Sequence, residues 1–208
     1  REYPDVYMHT HLSENSAEVA WARELFPDCD TYLDAYDQAG LLGRRSIFAH
    51  CIHLQDAEWD RLAETRSGIA FCPTSNLFLG SGLFPLPRAV RQQVRVGLGT
   101  DVGAGTSFSM LQTLNEAGKV LQMQGHTLSP LKGFYLATLG GAETLDLAGS
   151  IGNFEVGKEA DFVRLDRAAT PLLEFRMRRC RDLAEQLSVL AMLGDDRVVR
   201  ATYAAGRC

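Results

Sequence analysis

Four apolar runs of strand length end near residues 11, 50, 73 and 101, each followed by a stretch of helical character. Strands that alternate with helices build parallel βα units, and this narrows the fold more than any other feature of the chain. A closed (β/α)8 barrel takes roughly 250 residues, or about 30 per unit. Residues 1–150 therefore supply about four units, the content of half a barrel. Three of the strand ends carry the same kind of chemistry. Val6-Tyr7-Met8 leads to His11-x-x-Glu14, Ser46-Ile47-Phe48-Ala49 to His50, and Val96-Gly97-Leu98-Gly99-Thr100 to Asp101. Residues at the C-terminal ends of parallel neighbours converge on one point. Two imidazoles and two carboxyl groups are the groups that hold a metal ion and activate water on it.

The local signals predict strand at 6–11, helix at 14–26 starting near Ser13 or Glu14, and helix from Asp30 to Gly40. A buried strand follows at Ile47–Ala49, then a polar helix from Gln55 to Arg66, a strand from Gly68 to Cys72, and a turn at Pro73-Thr74-Ser75-Asn76. Gly80-Ser81-Gly82 lies in a glycine-rich loop but lacks the lysine and spacing of a phosphate-binding loop. Further helices are expected at Pro85–Gln93, at 108–124 capped by Thr106 or Ser107, and after Ser129-Pro130, with a strand at Val94–Thr100. Beyond residue 150 the pattern changes. Gly152–Val163, Val198–Ala201 and Tyr203–Gly206 read as short β pieces, and Leu172–Leu193 as an amphipathic helix or helix pair.

At 46% apolar residues, the 208-residue chain can bury a real core, as one domain or one domain with an appendage. Its net charge of -5 excludes a general nucleic-acid or anionic-membrane binder, which needs a basic footprint. No apolar stretch reaches the length of a membrane span. Five cysteines, an odd number with no C-x-x-C pair, fit thiols in a reducing cytoplasm. The chain begins with Arg1 and has no signal-peptide pattern, which suggests a fragment or a processed chain. The arginine-rich run 176–181 reads as a solvated helix face or a subunit contact.

The ordered strings HTHLSE (9–14), FAHC (48–51), FCPTSN (71–76) and GLGTDVGAGTSFSM (97–110), followed by GNFEVGKEADFV (152–163), resemble the amidohydrolase superfamily of metal-dependent hydrolases. Within that superfamily they are most similar to its guanine-deaminating enzymes. The resemblance implies an α/β chain that forms the C-terminal half of a (β/α)8 barrel. Residues 1–150 would carry the region of strands 5 to 8, and residues 151–208 would return to a flanking small β-sandwich. It implies one zinc ion per site, held by His11 and Asp101. Asp101 would also serve as general base, Glu14 as proton relay, and His50 as the group that polarises the reacting centre. All four would touch substrate. The implied reaction is zinc-dependent hydrolysis of guanine to xanthine and ammonia by a cytoplasmic homodimer, without nucleic-acid or membrane partners. The His-x-His pair of that family's first strand, and its guanine-gripping Arg-Phe segment, have no counterpart before His11, so activity is expected to need an N-terminal half. Another purine or a triazine as substrate, or an inactive assembly module, are the alternative readings.

Each residue also has a structural reading. His50 fits a core histidine, Asp101 a turn cap, and Glu14 a first-turn glutamate favoured by the helix dipole. His9 reads as aimed away from His11 or packed near it, while two-residue alternation puts both on one face and keeps metal contact open. Ser75 and Asn76 read as loop-orienting or substrate-contacting residues, and His53 and His126 as surface or loop residues.

Overall fold

The computed structural model describes residues 5–208. Four parallel strands, β1 (Met8–Leu12), β2 (Ser46–His50), β3 (Gly68–Phe71) and β4 (Arg95–Leu98), form one sheet in the order β1-β2-β3-β4. The register pairs His11 with Ala49, Ala49 with Ala70, and Ala70 with Gly97. Between and after the strands run α1 (Ser16–Leu25), α2 (Tyr32–Gln38), α3 (Asp56–Thr65), α4 (Pro73–Phe78), α5 (Leu86–Arg91), α6 (Met110–Met123), α7 (Pro130–Ala137) and α8 (Leu139–Thr144). This is the α/β arrangement of half a (β/α)8 barrel.

Alternation sorts the strand residues into two faces. Leu12, Phe48, Ile69, Phe71 and Val96 point outward and bury against Leu33, Trp59, Leu62, Ala117, Val120 and Leu136 from the helices. His9, His11, Ala49, Ala70 and Gly97 share the opposite, inner face by the same register. Near its base α8 lies against β3 and β4: a Cβ on Gly68 would sit 2.7 Å from Thr144 Cγ2, and one on Gly97 would sit 3.0 Å from Gly141 Cα. Arg95 closes that end by donating to the carbonyls of Glu143 (2.6 Å), Arg44 (2.7 Å) and Arg66.

After residue 150 the expected sandwich segment reduces to an antiparallel pair, β5 (Phe162–Leu165) and β6 (Val199–Tyr203), joined by α9 (Pro171–Met177) and α10 (Leu183–Leu193). Leu172–Leu193 is therefore a helix pair, broken by Asp182, which caps α10 through Glu185 N at 2.9 Å. Gly152 and Asn153 form a bend and Phe154 is irregular, because no partner strand offers hydrogen bonds there among the described residues.

Several boundaries move. The first helix starts at Ser16, because Asn15 and Glu18 form a reciprocal capping box that Ser13 and Glu14 cannot. The long helix is capped by Ser109, whose Oγ accepts from Gln112 N, while Ser107 Oγ serves the amide of Ser109 instead. Residues 73–76 are the first part of α4 and not a turn: Pro73 opens the helix, where its missing N–H costs nothing.

Candidate metal and catalytic site

The site lies at the C-terminal ends of the strands. His11 comes from β1, His50 ends β2, and Asp101 follows β4. One donor atom from each lies within 4.8 Å of the others. In a flat sheet, three strand spacings of about 4.8 Å would leave β1 and β4 roughly 14 Å apart. The sheet is therefore strongly rolled, and the roll brings the donors of non-adjacent strands together.

The backbone turns sharply where these groups emerge. Ser13, His50, Cys51 and Asp101 all have φ between 48° and 73°. This left-handed region is sparsely used by residues other than glycine, though histidine and aspartate are enriched there. Four such residues at the ends of β1, β2 and β4 mark a place where surrounding contacts hold the chain in an unfavourable shape. Asp101 O accepts from Gly105 N at 2.5 Å, and Gly105 leaves no room for a Cβ, which would fall 1.8 Å from Thr100 O.

His11 and His50 stack with ring centroids 5.2 Å apart and planes within 8°. His50 is 1% exposed. Its Nε2 lies 3.7 Å from Glu14 Oε2 and 3.9 Å from Asp101 Oδ2, and it makes no hydrogen bond. Burial holds the imidazole below its ordinary pKa, while Glu14 and Asp101 pull in the opposite direction. A neutral ring follows near pH 7. Two imidazoles and a carboxylate are a donor set suited to zinc or a related divalent ion. The orphaned Nε2, aimed at the same point as both carboxylates, is the observation that makes a polar occupant fit here. His9 lies on the same face as His11 but outside the cluster.

The segment after β3 offers no metal donor, yet it touches all three site elements. Thr74 Oγ1 donates to Thr100 O at 3.0 Å, beside Asp101. Asn76 Nδ2 lies 2.8 Å from His50 Nδ1. Ser81 Oγ donates to Glu14 Oε1 at 2.9 Å, and His53 Nε2 lies 2.9 Å from Ser81 O. Thr74, Asn76 and Ser81 are all buried. Of the secondary candidates, Asn76 reaches the site, Ser75 Oγ donates to Cys72 O within its own helix turn, His53 holds a loop, and His126 is exposed. Reading the sequence missed the Ser81–Glu14 contact. The only signal for it was a serine between two glycines.

The relatives can be set beside this geometry. Guanine deaminase of Escherichia coli (strain K12) is 59% identical to the chain over 206 residues, covering 99% of this chain and 47% of that protein. A solved structure of E. coli guanine deaminase superposes with a TM-score of 0.98, over 99% of this chain and 48% of its own. Guanine deaminase from C. acetobutylicum with bound guanine is 30% identical with a TM-score of 0.84, covering 96% and 47%. An adenosine deaminase from Xanthomonas campestris with bound zinc is 29% identical with a TM-score of 0.84, covering 98% and 45%. The chain spans about half the length of the curated relatives it matches. The amidohydrolase family profile matches residues 1–208, so with the rolled βα sheet and its strand-end donors the chain belongs to the amidohydrolase family.

Proposed function

We propose that the protein acts in the hydrolytic deamination of guanine to xanthine and ammonia, with zinc held by His11 and Asp101. The observation that carries this reading is the convergence of His11, His50 and Asp101 donors within 4.8 Å, with Glu14 3.7 Å from the His50 ring. The substrate is taken from the relatives named guanine deaminase. Zinc, when bound, supplies Lewis-acid activation of a water molecule near neutral pH. The remaining chemistry belongs to side chains of this chain. Asp101 takes the proton that the attacking water loses. Glu14 carries that proton to the purine ring nitrogen and then the water's second proton to the amino group, which leaves as ammonia, so both groups end in their starting protonation states. His50 contacts the substrate at the carbon under attack. One water is consumed and one ammonia released for each guanine.

Residues 1–150 are read as the barrel portion and residues 151–208 as the segment that returns to a flanking sandwich. Further ligands from outside this span complete the metal site in this reading, since catalytic zinc usually has three protein ligands. A cytoplasmic homodimer belongs to the same reading, in keeping with five free cysteines. No helix among the described residues is long and apolar enough to cross a membrane.

The test is zinc content measured together with ammonia release from guanine, adenine and a triazine on the purified protein. Stoichiometric zinc with ammonia from guanine, lost on chelation, is the expected result. A zinc-loaded protein that releases ammonia from adenine or the triazine and none from guanine overturns the substrate assignment.

A further inference from the structure

The segment after β3 is the one strand-end segment of the sheet that brings no carboxylate or imidazole to the site, yet its Thr74, Asn76 and Ser81 are buried polar side chains that reach it. Asn76 is 1% exposed and its amide nitrogen faces His50 Nδ1 at 2.8 Å. Nε2 of His50 faces the carboxylates of Glu14 and Asp101 at 3.7 and 3.9 Å, a setting that favours a proton there over a lone pair. Nδ1 is then the acceptor, and the group of Asn76 that meets it is the NH2, which leaves Asn76 Oδ1 without a partner. A neutral imidazole carries one proton, and that proton is then on Nε2. Nε2 is the nitrogen aimed between Glu14 and Asp101, buried and without a partner. We propose that Asn76 is a positioning residue that fixes His50 as the Nε2–H tautomer, making His50 a hydrogen-bond donor into the site and excluding it as a metal ligand.

Two further contacts extend this role. The Asn76 carbonyl accepts from Ser81 N at 2.9 Å, and Ser81 Oγ donates to Glu14. One residue therefore sets the proton on His50 through its side chain and, through its backbone, the position of the hydroxyl that orients Glu14. The geometry separates the three clustered donors into two kinds. His11 and Asp101 present lone pairs, and His50 presents a proton. The same burial that orders Asn76 explains its residue type: alanine would leave Nδ1 without a donor, and aspartate would demand a proton from it.

The role in turnover rests on the proposed deamination, but the tautomer does not, so the first measurement is structural. Long-range proton–nitrogen NMR is recorded on the zinc-loaded protein labelled with 15N-histidine, with His50 assigned by its loss in His50→Gln. The expected spectrum shows a protonated, pyrrole-type Nε2 and an unprotonated Nδ1 on His50. In Asn76→Asp the proton moves to Nδ1. Zinc content is expected to be unchanged in His50→Gln and lowered in His11→Ala. Turnover of Asn76→Asp is expected to fall by about 10²- to 10⁴-fold in kcat with little change in KM, the range seen when a partner that fixes a site histidine is lost. A proton on Nδ1 in the unmodified protein, which means the reverse amide orientation, overturns the proposal. A doubly protonated ring, an unchanged tautomer in Asn76→Asp, or loss of zinc in His50→Gln does the same. If Asn76→Asp fails to fold, the spectrum of the unmodified protein still decides. If guanine is not the substrate, the spectra and zinc contents stand by themselves.

Discussion

Left-handed backbone at Ser13, His50, Cys51 and Asp101 places an unfavourable conformation, on the order of 1–3 kcal/mol each, at the ends of β1, β2 and β4. Substitutions there must keep that conformation if they are to report on chemistry alone. Asp101→Asn meets the condition, because asparagine also tolerates the left-handed region. Its melting temperature is expected to stay near that of the parent, while ammonia release falls by at least 10²-fold, the scale of a lost acid–base group. Near-parental turnover in this variant removes Asp101 from the role of base. Glu14→Gln is expected to lose turnover on the same scale with its fold intact. Ser81→Ala removes the hydroxyl that holds Glu14, with an expected stability cost of about 1 kcal/mol and a turnover loss of about tenfold; denaturant titration and steady-state rates measure the two. That His11, Glu14, His50 and Asp101 lie together could be expected from the sequence because ionisable groups at the ends of apolar runs are conspicuous. Asn76 and Ser81 could not be read this way. An amide or hydroxyl beside proline and glycine carries the same signature as ordinary turn chemistry, and only burial separates the two uses.

The βα elements show where periodicity suffices and where it fails. β1 to β4 and helices α1, α2, α3 and α6 follow from apolar runs, capping residues and length. α4 and α8 do not: Pro73-Thr74-Ser75-Asn76 carries the signature of a turn, and α8 has two glycines in its first turn. Leu139-Gly140-Gly141 argues against helix on propensity, yet the small residues are what let α8 pack on β3 and β4. Gly97→Val drives side-chain atoms into Gly141 and Thr144, and is expected to destabilise by about 1–3 kcal/mol, read as a lower denaturation midpoint. At the same end Arg44 binds Asp146 at 2.6 Å and holds its carboxyl below the ordinary 3.8. A depressed carboxylate stabilises above its unfolded pKa, and that contribution is lost as pH falls through the folded value. Asp146→Asn is therefore expected to cost about 0.5–1 kcal/mol near neutral pH, given the exposure of Arg44. The cost should shrink as pH falls below 3.8 and vanish once it is below the depressed folded value; urea titrations at neutral and strongly acid pH test this.

At the scale of the molecule, the outward layer around Trp59, Phe48 and Phe71 holds the sheet in its rolled form. Trp59→Ala is expected to cost about 3–5 kcal/mol in denaturant titrations. Half a barrel was legible because its strand ends recur roughly one βα unit apart, near residues 11, 50, 73 and 101. The depth of the roll was not, since no local pattern encodes how far β4 bends toward β1. The roll has its own consequence. An ion shared by donors from opposite margins of the sheet is a gauge of sheet shape, and its release rate reports how firmly the strands are held bent. Cavities opened behind the sheet, with no atom near the ligands, would then register as faster loss of the ion before they register as unfolding.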